Sequence, residues 1–213
     1  RKGVDVVFAI DVSKSMLAED IAPSRILKAK QILSKAIDEL VNDRIGIIVY
    51  AGKAYAQLPL TTDYTAAKMF LRTINTDMVP TQGTDIGNAV EMALSYSETG
   101  KDQNRVLFIL SDGESHEEGA LEASELASEN GILIHAIGLG TLDGGPIPIK
   151  RNGVIKGYKK DNEDKVVVTK MDPAMLQQLA LSTEGNFIDG MNTKETIEFI
   201  KSSTGKMEQV ESE

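Results

Sequence analysis

Five short, nearly continuous apolar runs punctuate the chain: Val4–Ile10, Arg44–Tyr50, Arg105–Leu110, Ile132–Ile137 and, more weakly, Asn186–Ile188. A half-exposed strand alternates apolar with polar residues, so unbroken runs predict strands covered on both faces, as in a parallel sheet. Between the runs, apolar residues recur at helical spacing. In Ser24–Val41 the residues Ile26, Ala29, Leu33, Ala36, Ile37 and Leu40 make one stripe, with Pro23 placed for a first turn. The same spacing predicts helices over Tyr64–Ile74, Asp85–Ser97, Gly119–Glu129, Pro173–Leu181 and Thr193–Ser203. Ala54–Leu60 reads as an extra edge strand after a turn at Gly52.

Strand alternating with helix implies right-handed crossovers, hence an α/β domain with a doubly wound, mostly parallel central sheet flanked by helices. Residues 141–171 break the rhythm with Gly144, Gly145, Gly153, Gly157 and two prolines, then the β-leaning run Val166–Thr169. This segment reads as an inserted surface hairpin. The expected organisation is one domain over residues 1–205 with that insertion, and a polar, frayed tail over 206–213. There is no internal repeat.

Composition narrows the function classes. The chain has 213 residues, 41% hydrophobic and 26% charged, which is ordinary for a soluble globular domain. Its formal charge of −9 is spread along the sequence, which removes a nucleic-acid footprint and disfavours anionic membranes. Cations or basic partners are the natural ligands. With no cysteine, disulfides, thiolate metal sites and cysteine nucleophiles are excluded. No apolar run reaches the roughly 20 residues of a membrane span, and no signal peptide is visible. The chain opens on Arg1 rather than Met, as expected of a soluble piece excised from a longer protein.

In open α/β sheets, ligands bind outside the carboxyl ends of the strands. Three polar clusters fall at such positions. In "AIDVSKSM" an apolar strand ends on Asp11, and an extended loop would point Asp11, Ser13 and Ser15 to one side. "PTQGTDIGNA" opens a helix with Thr84 and Asp85, and Ser111-Asp112-Gly113-Glu114 follows "RVLFIL". Two carboxylates and three hydroxyls make an all-oxygen donor set that suits a hard cation. So few charges favour Mg²⁺ or Mn²⁺ over Ca²⁺. Such an ion, only partly neutralised, could accept a carboxylate from a partner protein.

"DVSKS", the threonine of "GTDIG" and "SDG", in this order, resemble the metal-ion-dependent adhesion site of von Willebrand factor type A domains, over Val4 to Ser203. The resemblance implies a metal held by Asp11, Ser13, Ser15, Thr84 and Asp112, partly through waters, with Thr84 and Asp112 exchanging direct and water-mediated contact. "RKGVDVVFAIDVSKSMLAEDIAPSR", "LPLTTDYTAAK" and "TDMVPTQGT" look more specifically like the bacterial Bacteroides aerotolerance (Bat) group. That resemblance implies flanking transmembrane helices outside this chain, an inner-membrane protein whose domain faces the periplasm, and partners in a membrane complex. The expected function is a non-catalytic, metal-dependent protein-interaction module.

Each motif also has a plainer reading. Ser13 and Ser15 could cap a turn, Thr84 or Asp85 a helix, and Asp112-Gly113 could be a simple turn. Glu114, Glu117 and Glu118 read as a solvated face. His135, within "ILIHAI", reads as a satisfied core histidine, and His116 as exposed near the proposed site. Gly138-Leu139-Gly140 lacks the third glycine of a dinucleotide fingerprint, and the methionines read as core filler. The alternative function is a Mg²⁺-dependent phosphohydrolase with Asp11 as nucleophile. It is weakened because Ser13 stands where a second acid would act. A serine hydrolase lacks the G-x-S-x-G elbow. A scaffold with a vestigial site is the remaining reading.

Overall fold

The structure is a computed structural model that describes residues 3–96, 105–114 and 118–210, with side chains to 207. In chain order the elements are β1 (Asp5–Asp11), α1 (Arg25–Glu39), β2 (Arg44–Tyr50), β3 (Ala54–Thr61), α2 (Tyr64–Arg72), α3 (Ile86–Ser95), β4 (Arg105–Ser111) and α4 (Ala120–Glu129). There follow β5 (Ile132–Gly138), β6 (Gly145–Pro146), β7 (Pro148–Arg151), β8 (Val154–Tyr158), β9 (Val168–Thr169), α5 (Pro173–Leu181), β10 (Phe187–Asp189) and α6 (Thr193–Val210).

Six strands form the central sheet in the order β10-β5-β4-β1-β2-β3. Every pairing in it is parallel except β2 with β3, so the predicted edge strand is the antiparallel one. From β1 the chain builds outward through β2 and β3, then returns to place β4, β5 and β10 on the other side. The switch point therefore lies between the carboxyl ends of β1 and β4, where such sheets open a crevice.

Successive side chains of a strand face opposite ways, which explains the unbroken apolar runs. Val6, Phe8 and Ile10 of β1 pack with Ile26, Leu33 and Ile37 of α1, and that core extends to Ala67 of α2 and Ile200 of α6. Val7 and Ala9 belong to a second core with Ile86 and Val90 of α3, Ala123 of α4 and Leu179 of α5. Among the described residues each face of the sheet thus carries three helices.

The helix starts follow capping chemistry. Ser24, Asp63, Asp85 and Asp172 each accept a backbone N–H at the start of α1, α2, α3 and α5. Pro23 lies one residue outside the Ser24 cap, not in the first turn, because the serine oxygen closes that turn on the Leu27 N–H. The predicted last residue of α3, Ser97, lies outside the described residues. Helix α6 runs to Val210, well beyond the predicted Ser203, because Met207 packs against the sheet core and carries the helix on.

The insertion contains the expected hairpin, β7 paired antiparallel with β8, closed at its base by a second short ladder of β6 with β9. His135 is buried among Phe108 and Phe199, with ring centroids at 5.4 and 5.2 Å. Its Nδ1 accepts the Asn186 N–H at 3.0 Å, but buried Nε2 has no hydrogen-bond partner among the described residues, so only one nitrogen is satisfied. Burial pushes its pKa down to about 4, which keeps the ring neutral.

Candidate metal centre

Asp11 closes β1 and Asp112 follows β4 directly, so two adjacent parallel strands deliver a carboxylate each to the switch point. Both side chains are completely buried. Past Asp11 the backbone stays extended only to Ser13, and a 3-10 turn over Lys14–Leu17 then brings Ser15 round. The turn, rather than the extended loop expected from the sequence, gathers the two serines.

The four side chains form one continuous row. Ser13 Oγ donates to Asp11 Oδ1 at 2.6 Å, supported by the Ser13 N–H at 2.9 Å. Ser15 Oγ donates to Asp112 Oδ2 at 2.6 Å. Between them the two serine oxygens stand 3.1 Å apart. At that distance either hydroxyl can donate to the other, so the two serine oxygens, Asp11 and Asp112 make one connected chain of hydrogen bonds. Thr84, only 5% exposed, lines the same 370 Å³ cavity as Ser13 and Ser15. Asp85 caps α3, and Thr84 is the residue of "GTDIG" that lines the cavity. His116 and Glu117 lie outside the described residues.

Burial, reinforced by the negative charge of Asp112, raises the pKa of Asp11 to about 7. Burial raises Asp112 as well, against the Ser15 hydrogen bond and the charge of Arg25. A cation relieves such crowding, and hydroxyl and carboxylate oxygens suit a hard one. The residues present therefore fit a divalent ion, although they are built differently from an acidic cage. Among the described residues no group of three or more His, Cys, Asp or Glu side chains is placed to hold a metal.

The supporting roles of several residues of this centre escaped the sequence reading. Ser111 Oγ donates to Asp11 Oδ2 at 2.7 Å and accepts the Gly113 N–H, tying the ends of β1 and β4 together. Arg25, fully buried in the first turn of α1, donates Nη1 to Asp112 Oδ2 at 3.0 Å and to Thr169 Oγ1 at 3.0 Å. Its Nε and Nη2 hold both oxygens of Asp20 at 2.8 Å, and Nη2 also reaches the Thr169 carbonyl at 2.8 Å.

Glu114 is half-buried and engaged, not part of a free solvated face. It accepts Thr169 Oγ1 at 2.5 Å and the Lys170 N–H at 3.0 Å, fastening the end of the insertion to the loop after β4. Asp20 accepts the N–H and hydroxyl of Thr141 where the insertion begins. Burial alone would raise the pKa of Asp20, but the hydrogen bonds and charge of Arg25 and the Thr141 N–H outweigh it and leave it below the usual range. A sequence signal for Arg25 existed: it stands four residues before Ala29 and eight before Leu33, in register with the apolar stripe of α1.

A family model described as the von Willebrand factor type A domain matches residues 6–114. The structure of BatB from Bacteroides thetaiotaomicron superposes with a TM-score of 0.92 at 40% identity, covering 97% of this chain and all of that one. An aerotolerance-related membrane protein from Bacteroides fragilis, in a form with multiple mutations to serine, gives 0.90 at 40% identity, covering 96% of this chain and all of that one. An uncharacterized protein of Borreliella burgdorferi is 27% identical over 98% of this chain, and the chain spans 60% of that protein's length.

Proposed function

Because the chain belongs to the von Willebrand factor type A domain family and is related to the Bat aerotolerance proteins, we propose that it is a non-catalytic module that captures a protein partner through a Mg²⁺ or Mn²⁺ centre. Asp11, Ser13, Ser15, Thr84 and Asp112 would hold the ion, directly or through water. When bound, the cation supplies a coordination position for an Asp or Glu carboxylate of the partner. The gathering of the Ser13 and Ser15 oxygens, 3.1 Å apart and each hydrogen-bonded to a buried carboxylate, on one cavity with Thr84 carries this reading.

The chain's own groups have separate tasks. The serines present neutral oxygens toward the cavity, while Asp11 and Asp112, buried and hydrogen-bonded to them, fix their direction. Arg25 offsets part of the charge of Asp112 without facing solvent. Asp11 is buried, takes three hydrogen bonds on its oxygens and does not line the cavity, which supports a role at the ion through water over the phosphohydrolase alternative, since a nucleophile needs an accessible oxygen.

Among the described residues no helix is long and apolar enough to cross a membrane. The Bacteroides fragilis relative is a membrane protein, and in the full-length protein we place this domain in the periplasm, anchored to the inner membrane by helices outside the chain, alongside other components of a membrane complex.

Ser13→Ala and Ser15→Ala each test the centre without removing a buried charge. Each is expected to weaken Mn²⁺ binding by about tenfold or more, about 1.4 kcal/mol, with an unchanged circular dichroism spectrum. Partner crosslinking in Mg²⁺ should fall in parallel and disappear in EDTA. Equal crosslinking by wild type, both variants and EDTA-treated protein would overturn the proposal.

A further inference from the structure

Beside the candidate centre runs a groove of 650 Å³ between α1, the residues after α2 and the insertion. Its floor is apolar, made by Ile26, Ile74 and Ile147, all at least 94% buried. Two further apolar side chains line it while remaining open to solvent, Leu27 at 45% and Ile149 at 54% exposure. Apolar area left in water in this way is a cost that an occupant would remove.

Charge identifies the occupant. The chain carries −9 overall, yet this groove is lined by Lys14, Lys30, Lys150 and Lys159 against a single acid, Asp77. Asp77 pairs with Lys14, and Lys150 pairs with Glu19 at 2.8 Å. Lys30 donates to the carbonyls of Arg72 and Ile74, and among the described residues neither it nor Lys159 has an ion-pair partner. Among the described residues, two ammonium groups over an apolar floor are therefore left without a carboxylate. Lys14, Ile147 and Lys159 also line the cavity of the candidate metal centre, so the two spaces adjoin.

We propose that this groove seats a short segment of the partner protein whose apolar side chains enter the Ile26–Ile74–Ile147 floor and whose acidic residues face Lys30 and Lys159. The inference rests on the metal-centre reading for the direction of the segment: the carboxylate captured at the centre leads into the groove. The groove would then supply the sequence preference that a lone carboxylate lacks. A second copy of this chain or an anionic bilayer is opposed by the net charge, which repels both.

The test is selection of short random peptides, displayed on phage, on the intact chain with Mn²⁺ present. Selected peptides should combine Asp or Glu with Leu, Ile or Phe. A synthetic copy of the best one should bind about tenfold or more weakly to Leu27→Asp and to Ile149→Asp, both exposed positions, while Mn²⁺ binding by the two variants stays unchanged. Replacing the peptide's acids by amides should cost a similar factor. Peptide lost with either variant but indifferent to EDTA would keep the groove and overturn the metal-centre reading. Peptide released by EDTA but indifferent to both variants would overturn the groove and keep the centre. Selection of no acidic–apolar sequence would overturn the inference too. So would a dimer in sedimentation that Leu27→Asp dissolves, or retention on phosphatidylglycerol vesicles that Leu27→Asp abolishes.

Discussion

Replacing Arg25 with alanine is expected to destabilise the chain by about 3–5 kcal/mol, the usual loss when one member of a buried charge network is removed. One guanidinium serves Asp20, Asp112 and both the hydroxyl and carbonyl of Thr169, and its side chain has no exposure. Its removal leaves two acids and a carbonyl short of a donor. Even backbone space is reserved for it: a Cβ at Gly140 would come within 2.8 Å of Arg25 Nε, and φ there is +129°, which glycine alone tolerates well. Lysine is a poor substitute, because a single ammonium cannot fork between Asp20 and Asp112. Arg25→Lys should therefore recover only part of the loss. Urea unfolding measures both variants, and hydrogen exchange over 141–171 should rise in Arg25→Ala as the insertion loosens. Stability within about 0.5 kcal/mol of wild type, the ordinary range for surface changes, would show that the network holds nothing.

The second large effect concerns protons and metal. Burial, with the charge of Asp112, holds the pKa of Asp11 up at about 7, far above its value in an unfolded chain. Between pH of about 4 and about 7 Asp11 therefore binds more protons in the folded than in the unfolded state, and its contribution to stability falls as pH rises, opposed up to about pH 6.5 by His135, whose folded pKa is down at about 4. The cost from Asp11 is absent below the unfolded value and complete above the folded one. A divalent cation competes with those protons at Asp11, so Mn²⁺ should raise the melting temperature far more at pH 7.5 than at pH 5. Ser13→Ala should lose most of the Mn²⁺ gain. A gain that is equal at both pH values, or that survives Ser13→Ala, would place the ion elsewhere.

Much of the fold was legible because both faces of the sheet are covered. Runs such as "VDVVFAI" and "RVLFIL" have no polar alternation to confuse with an open sheet, and the apolar stripe of α1 is regular. The positions of Asp11, Ser13, Ser15 and Asp112 were legible for a topological reason: polar residues directly after buried parallel strands gather at one end of the sheet. The support of the centre was not. Arg25 meets Asp112 across 87 positions and Thr169 across 144, and Glu114 meets Thr169 across 55. No local pattern encodes such pairings, and the acidic run around Glu114 reads as solvated when taken alone. The extension of α6 was hidden because Met207 is the one apolar side chain of Lys206–Gln209, too sparse to make a stripe. The 3-10 turn that gathers Ser15 was hidden because "SKSM" suits a turn and an extended loop equally.

The most direct measurement is an anomalous-scattering map from a crystal of the chain soaked in Mn²⁺, since soaking tolerates weak affinity. The account predicts a single strong peak in the cavity lined by Ser13, Ser15 and Thr84, in contact with the two serine oxygens, with room left on its open side for a carboxylate. A peak held by Asp11 and Asp112 with both serines outside its shell, or a cavity without any peak, would contradict it.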